Sequence, residues 1–536
     1  MKILVSDKLA DEGIEILRAE TGVEVDIRTD MTPDELKAVI GRYDGICIRS
    51  ATKLTADVLA EPGNLRAIAR AGVGVDNVDL PTATRHGIVV VNAPDGNTLS
   101  TAELTLALML ALSRNVAPAC ASLKGGEWNR KAFMGRQLAG KTVGIVGLGR
   151  IGTAVAKRCL GFEMKVVGYD PFIAGAPPEL AKEIRLVDSL DDLLKVSDYV
   201  TVHTPMTDET RGILGKKELE TLPRGAYVIN AARGGIVDED ALLEVLKSGH
   251  LGGAALDVYP SEPPKNRELI EHPLVLCLPH LGASTREAQR SVAIDACHNL
   301  IDYLTGRELR NAVNVAAIDF AAIGELRPYA EMGHRMGVIL AAMMHGRLKR
   351  LVITYAGEIA KEAARPVSVS VVMGLLQRVS GTPLNVVNAM VVATEEGLEV
   401  VETTQPDAGG YVSLVRVTGE GERESHSVQG TVFHKRYPRI TALDDFCMEL
   451  KPEGDLVITF NKDRPGIIGE VGSIFGKLGI NIASMTFGRK LDTAEASLAL
   501  TLDAVPPPNL LEELRGKDFM QRVHHVSLPP LVTESA

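Results

Sequence analysis

Residues 143–152 read VGIVGLGRIG, and this stretch decides the fold. The apolar run predicts a strand, and Gly147, Gly149 and Gly152 follow it in G-x-G-x-x-G spacing where a helix begins. The first glycine makes a tight turn, the second lets the backbone approach a pyrophosphate, and the third lets the helix pack on the strand. Phosphate charge then sits at the helix N-terminus. The next strand, KVVGYD, ends in Asp170, 18 residues beyond Gly152, where a carboxylate can accept both ribose hydroxyls of an adenosine. Such a carboxylate repels a 2′-phosphate. Pro171, Phe172 and Ile173 bring no arginine to neutralise one, so the pattern points to NAD over NADP.

Working outward, strands YVTVH, AYVIN, GAALDV and VLCLP extend the same α/β layer. Three dense segments follow strands: INAARGGIVDEDAL with Arg233, ALDVYPSEPP with Glu262, and LPHLGASTREA with His280. In a doubly wound sheet all three can open onto the crevice beyond the strand ends. The set suits hydride transfer: imidazole takes a hydroxyl proton as hydride leaves, a carboxylate steadies the imidazolium, and a guanidinium grips a 2-hydroxy carboxylate. Taken singly, the histidine also reads as a cap or core residue and the glutamate as a solvated side chain.

Upstream, KILVS, VEVDI, GICIR, RAIAR and GIVVV alternate with amphipathic helical stretches, which predicts a second parallel sheet covered by helices. A long apolar helix, TAELTLALMLALS, leads from it into the glycine-loop layer, and a helix over 285–304 returns after that layer. The expected division is 1–98 plus 285–313 as a substrate domain and 99–284 as a Rossmann domain. An α+β intervening domain over 314–452 and a compact βαββαβ unit over 453–536 follow. In the last, a helix carrying Ile467, Ile468, Val471, Ile474, Phe475 and Leu478 on one face is expected to end at Gly479.

Composition narrows the function. The net charge of −11 gives the molecule no general attraction for nucleic acid or an anionic membrane, so an anionic ligand needs a local basic cluster. The six cysteines are scattered with no CxxC pair, which predicts free thiols, no metal site and a reducing compartment. The N-terminus turns acidic after four apolar residues, so the cytoplasm is the expected location.

In their order, GLGRIG, HTPMTDETRGILG, INAARGGIVDEDAL, ALDVYPSEPP and PHLGAST closely resemble the NAD-dependent D-2-hydroxyacid dehydrogenase family over about residues 1–313. ARAGVGVDNVD, APDGNTLSTAEL and the C-terminal extension are similar to its long members that act on 3-phosphoglycerate. The resemblance implies oxidation of 3-phosphoglycerate with NAD, with His280 and Glu262 as acid/base pair and Arg233 holding the carboxylate. It also implies cofactor contacts at Arg150, Ile151, Asp170, Thr204, Asp257 and the backbone of Ala231 and Ala232. Val73, Gly74 and Asn97 become substrate contacts by the same likeness, and His203 part of the cofactor wall. Residues 455–530 resemble an ACT domain, a metabolite-sensing module that pairs edge to edge. That implies a homo-oligomer, dimer or tetramer, and an L-serine effector at Asp463 and Asn481, although Asn461 stands where some relatives have histidine.

A doubly anionic substrate needs more positive charge than lactate does. Arg49 in CIRSATK and Arg70 in ARAGVG lie at predicted strand ends and, with Arg233, make a triple-basic pocket. Arg130 and Lys131, beside Trp128, are a further basic pair within reach of a neighbouring subunit's phosphate. Two other readings stay open: a glyoxylate or hydroxypyruvate reductase, which would not need the extra charge, and a non-catalytic NAD-sensing corepressor.

Overall fold

Short apolar runs become strands here because both faces of each sheet need cover. The first sheet holds β1 (Lys2–Val5), β2 (Glu24–Ile27), β3 (Gly45–Ile48), β4 (Ala67–Arg70) and β5 (Val89–Asn92), in the order β2-β1-β3-β4-β5. β1 pairs in parallel with β2 and β3, and all of β3 is buried, as expected of a sheet covered on both sides. The chain is described by a computed structural model, which covers every residue except 174, 316–322, 362–363, 378–379, 381–382, 491–492 and 532–536.

The chain divides into two compact units, 1–53 with 68–77 and 91–307, and 54–67 with 78–90 and 308–536. In the first unit the helix Arg286–Leu304 returns to the first sheet, as expected. A Cβ added at Gly13, in the helix Asp11–Ala19, would lie 2.8 Å from the Ala293 carbonyl oxygen, so the two helices cross backbone to backbone. The second sheet holds β6 (Thr142–Val146), β7 (Lys165–Tyr169), β8 (Ile184–Leu186), β9 (Tyr199–Val202), β10 (Tyr227–Asn230), β11 (Gly253–Leu256) and β12 (Val275–Cys277). All its pairings are parallel, in the order β12-β11-β10-β9-β6-β7-β8. The order reverses between β6 and β9, which opens a crevice beyond their carboxyl ends. The apolar helix Thr98–Ser113 packs Ala102, Leu106, Leu108 and Met109 into the core beneath that crevice.

The second unit carries β13 (Leu348–Gly357), β14 (Glu399–Gln405), β15 (Ser413–Gly421), β16 (Ser425–Phe433), β17 (Tyr437–Leu443) and β18 (Phe446–Leu450) in one sheet, ordered β14-β13-β15-β16-β17-β18. The helices Ile323–Met343 and Arg365–Leu376 cross in such close contact that a Cβ at Gly337 would lie 2.1 Å from the Val371 carbonyl oxygen. The fourth sheet, β19 (Gly454–Lys462), β20 (Ile482–Lys490), β21 (Glu495–Leu502) and β22 (Met520–Leu528), is antiparallel in the order β20-β21-β19-β22. Its helices Ile467–Lys477 and Pro508–Arg515 complete the βαββαβ sequence, and Gly479, at φ +68, follows the first helix in the left-handed conformation. Strands β8, β14, β16, β17 and β18 were not expected from the sequence. Among the described residues no single helix is long and apolar enough to cross a membrane.

Candidate active site

The glycine loop joins β6 to the helix Arg150–Gly161 at the reversal point. Gly147 sits at φ +91, and a Cβ there would lie 2.8 Å from the His203 carbonyl oxygen. A Cβ at Gly152 would lie 2.0 Å from the Gly147 carbonyl oxygen, so the helix rests directly on the turn. Around Gly149, the helix cap, there is open space within 4 Å, and the unpaired amides of the first turn face a place for a pyrophosphate.

Asp170 closes this loop: its carboxylate accepts from the N–H of Leu148 (2.9 Å) and of Phe172 (3.0 Å). Arg150 pairs with Asp95 at 2.6 Å, and Ile151 packs on the core below. Thr204 Oγ1 and Asn97 Oδ1 are buried without a hydrogen-bond partner, a condition that costs about 1–3 kcal/mol each unless a ligand satisfies it. The open glycine loop and the unsatisfied Thr204 fit a bound dinucleotide, while Asn97 is the residue expected at the substrate. His203 is partly buried with its Nδ1 shut off from solvent, and this desolvation pushes its imidazole down to about 4, so it is neutral at pH 7. Its Nε2 meets Thr201 Oγ1 at 3.0 Å.

Glu262 and His280 meet as a bidentate pair, His280 Nδ1 lying 3.0 and 2.9 Å from the two carboxylate oxygens. Both are about half exposed. His280 stands at φ +57, an unfavourable conformation for a residue with a Cβ, and it is held there by Asp257. The Asp257 carbonyl accepts from the N–H of His280 (2.9 Å), and its carboxylate accepts from the N–H groups of Leu281 (2.7 Å) and Gly282 (2.8 Å). Asp257 is fully buried; burial raises its carboxyl pKa, opposed by those two backbone bonds. The resemblance made Asp257 a cofactor contact, and here its carboxylate is engaged by the histidine's own loop.

Arg233 lies on the turn after β10, which buried Asn230 shapes by donating to the Arg233 carbonyl (2.8 Å) and accepting from the Ala232 N–H (3.1 Å). Ala231 beside it is buried. The guanidinium donates through Nη1 to the Ala232 carbonyl (2.7 Å) and through Nε to Asp76 Oδ2 (3.1 Å). Beneath it runs the 72–74 loop: a Cβ at Gly74 would lie 1.9 Å from Arg233 Nη2, and one at Gly72 would lie 1.5 Å from Arg70 Nη1. The Val73 carbonyl between them accepts from Asn92 Nδ2 at 2.6 Å.

Arg70 is pushed down to about 10 by burial first and by the charge of Arg233 second, with Arg49 adding to the effect and Asp76 and Asp7 opposing it. It remains a cation at pH 7. Burial lowers Arg49 as well, against the field of Asp7, and its Nη1 donates to the Lys8 carbonyl at 3.1 Å. Of the three arginines expected as a basic pocket, Arg49 and Arg233 therefore both act on Arg70, whose buried Nε has no hydrogen-bond partner. Arg130, Lys131 and Trp128 are all exposed.

The two expected effector residues are far apart within one chain. Asp463 follows the Lys462 end of β19 and pairs with Arg489 at 2.6 Å. Asn481 donates to Asp503 beside Leu502, at the opposite end of the sheet, a strand length of roughly 25 Å away. β19 and β20 both run antiparallel to β21, so the end of β19 and the start of β20 fall at opposite ends of the sheet. Asn461 is fully buried, with Nδ2 donating to the Lys462 carbonyl.

Sequence reading missed Asp76, Asn230 and the loop-fixing role of Asp257. Asp76 carried a signal, an acid two residues from Gly74 in an arginine-rich segment, but its partner lies 157 residues away.

Comparison with known proteins places these parts together. Residues 106–282 match the NAD-binding domain of D-isomer-specific 2-hydroxyacid dehydrogenases, 325–444 the D-3-phosphoglycerate dehydrogenase intervening domain, and 456–518 the ACT domain. Among solved structures, a glyoxylate reductase from Paecilomyes thermophila (29% identical, TM-score 0.54) and a formate dehydrogenase from Staphylococcus aureus in complex with NAD (31%, 0.53) each cover 58% of this chain. They span 98% and 99% of their own lengths. Relatives that match along almost the whole chain are the D-3-phosphoglycerate dehydrogenases of Archaeoglobus fulgidus (41% identical) and Bacillus subtilis (38%), each covering 98% of this chain and 100% of its own. With both end-to-end likeness and all three domain matches in hand, the chain belongs to the D-3-phosphoglycerate dehydrogenase family of NAD-dependent enzymes.

Proposed function

We propose that this chain carries out its family's reaction, oxidation of 3-phosphoglycerate to 3-phosphohydroxypyruvate with NAD, the first step of the phosphorylated route to L-serine, through the residues above. The observation that carries this reading is that Arg70 feels the charges of both Arg233 and Arg49, in the unit that also holds the Glu262–His280 pair. Arg233 holds the substrate carboxylate, and Arg70 and Arg49 hold the phosphate. His280 Nδ1 is committed to Glu262, so Nε2 is the nitrogen that takes the hydroxyl proton, and the carboxylate stabilises the imidazolium that results. The nicotinamide, when bound, accepts the hydride. Hinges near residues 98 and 285 would let the two sheets of this unit close on the substrate.

A glyoxylate reductase needs one carboxylate site, so Arg49 and Arg70 discriminate between the two substrates. Replacing either with alanine is expected to weaken phosphoglycerate roughly tenfold or more relative to glycerate, since a charge-assisted bond contributes about 1.5–3 kcal/mol. NADH formation at 340 nm with phosphoglycerate, glycerate and lactate reads this directly, and equal losses on all substrates would put the phosphate elsewhere.

Asp170 should accept the adenosine ribose hydroxyls, so kcat/KM is expected to favour NAD over NADP by a wide margin, and Asp170→Ala to narrow it. Comparable wild-type values for both cofactors would remove that assignment.

The ACT module is read as an amino-acid sensor with L-serine as ligand. Asp463 and Asn481 lie at opposite ends of one sheet, so a zwitterion touching both must lie between two copies of the chain, which makes the sensor a property of a homo-oligomer. Calorimetric titration of the full chain is expected to detect serine binding at millimolar concentration or below, lost in Asp463→Ala. Absence of binding by serine and other amino acids, with activity unchanged, would leave the module an assembly role only.

A further inference from the structure

We propose that Asp76 is a positioning residue: it orients the Arg233 guanidinium for the substrate carboxylate and supplies the counter-charge that keeps small stray anions from occupying that guanidinium. The inference rests on the reading of Arg233 as the carboxylate site.

An arginine carries a long flexible stem, and its grip is accurate only when the fork is held in advance. Arg233 has three restraints, each on a different side. Nη1 is fixed by the Ala232 carbonyl, Nε by Asp76 Oδ2, and Nη2 is crowded by the Gly74 backbone. Asp76 is the side chain among these restraints, and its Oδ2 also lies 2.7 Å from where a Gly74 Cβ would be, so glycine at 74 admits both partners. Nε and Nη1 are thus committed, and Nη2 stands over the Gly74 backbone, so the fork is set before a ligand arrives.

The pair is not there for stability. Asp76 is 65% exposed at the side chain, and ion pairs so exposed contribute little to folding. Its electrostatic position is more telling. The charges of Arg233 and Arg49 both act on Arg70, and two carboxylates act on it in return, Asp7 and Asp76. Asp7 is tied to the backbone of Arg49 and to Thr52. Asp76 alone of the two touches a guanidinium of the trio directly. It lowers the attraction of the site for any anion while its own contact is with Nε. An anion that engages Arg49 and Arg70 as well as Arg233 is favoured over one that engages Arg233 alone, which is selectivity by fit.

The test uses the full-length enzyme with Asp76→Ala and Asp76→Asn, inorganic phosphate as the stray anion, and NADH fluorescence and melting temperature as controls. Asparagine keeps an acceptor for Nε and loses the charge, while alanine loses both. Asp76→Ala is expected to raise KM for phosphoglycerate about tenfold, a loss of the size of one charge-assisted contact, with NADH affinity and melting temperature unchanged. Asp76→Asn should recover most of that KM, yet inorganic phosphate should inhibit it at several-fold lower concentration than the wild type. Unchanged KM and phosphate inhibition in Asp76→Ala would overturn the proposal, as would an equal loss in both variants accompanied by weaker NADH binding. Arg233→Lys separates the two levels: if it leaves KM for phosphoglycerate unchanged, the carboxylate-site reading itself falls, whereas a large rise in that variant beside a silent Asp76→Ala sinks only the positioning role.

Discussion

Replacing His280 with alanine is expected to lower kcat by about 10²–10⁴-fold, the usual contribution of a placed proton acceptor, while leaving NADH affinity nearly unchanged. The imidazole is bound through Nδ1 to both oxygens of Glu262, and its backbone is anchored by Asp257 from the far side, so removal of the ring takes away proton transfer without disturbing the glycine loop. Glu262→Gln separates the two members of the pair. Amide keeps a hydrogen-bond acceptor for Nδ1–H but removes the charge that favours imidazolium, so the acidic limb of the pH–rate profile should move to lower pH, with a smaller fall in kcat than His280→Ala. Oxidation needs the neutral ring, hence the direction of that move. Stopped-flow single turnovers across pH read both effects. A pH profile identical to wild type would take Glu262 out of the mechanism.

The second large effect comes from a single methyl group. Gly74→Ala places its Cβ 1.9 Å from Arg233 Nη2 and 2.7 Å from Asp76 Oδ2. Gly74 is not among the residues with positive φ, so alanine suits the backbone, and the atoms it meets are the ends of two side chains. The fold can therefore relax at little cost in stability by moving the guanidinium. That movement is the functional damage: a displacement of about 1 Å in a substrate-positioning group costs on the order of a hundredfold in rate. We expect kcat/KM for phosphoglycerate to fall by that order, with the melting temperature and NADH affinity retained. A fall of less than about threefold would mean that the guanidinium does not position the reacting substrate.

Between these two predictions lies a difference in how readable the parts were. The His280, Glu262 and Arg233 segments could be named from the chain because each combines a strand, a turn and a dense run of chemical residues. The residues that hold them could not. Asp76 meets Arg233 across 157 positions, and Asp257, 23 residues before His280 in the chain, reads as a strand-end acid like Asp170 until the loop folds back onto it. Asn230 sets its turn through side-chain bonds to backbone and Asn92 braces the 72–74 loop from 19 residues away, roles that an asparagine's place in the chain does not distinguish from an ordinary loop residue. Strands β16 to β18 escaped for a related reason: SHSVQGTVF mixes serine, histidine and glycine with few apolar residues, YPRITAL carries a proline, FCMEL is only five residues long, and their antiparallel pairing with one another supplies the hydrogen bonds that each lacks alone.

Local order along the chain was enough to determine the βαβ alternation, the dinucleotide fingerprint, the NAD preference expected from Asp170 and the βαββαβ order of the last segment. Each depends on contacts between residues a few positions apart, where periodicity and glycine spacing are direct physical constraints. Tertiary structure alone decided which charges face one another. It placed Arg49, Arg70 and Arg233 within one another's fields, set Asp76 against them, and spent the Asp257 carboxylate on the histidine loop. It also put Asp463 and Asn481 at opposite ends of a sheet, because strand direction, and not sequence distance, determines which end of a sheet a residue reaches. Coulombic coupling and side-chain packing act through space, and a chain carries no record of that distance until it has folded.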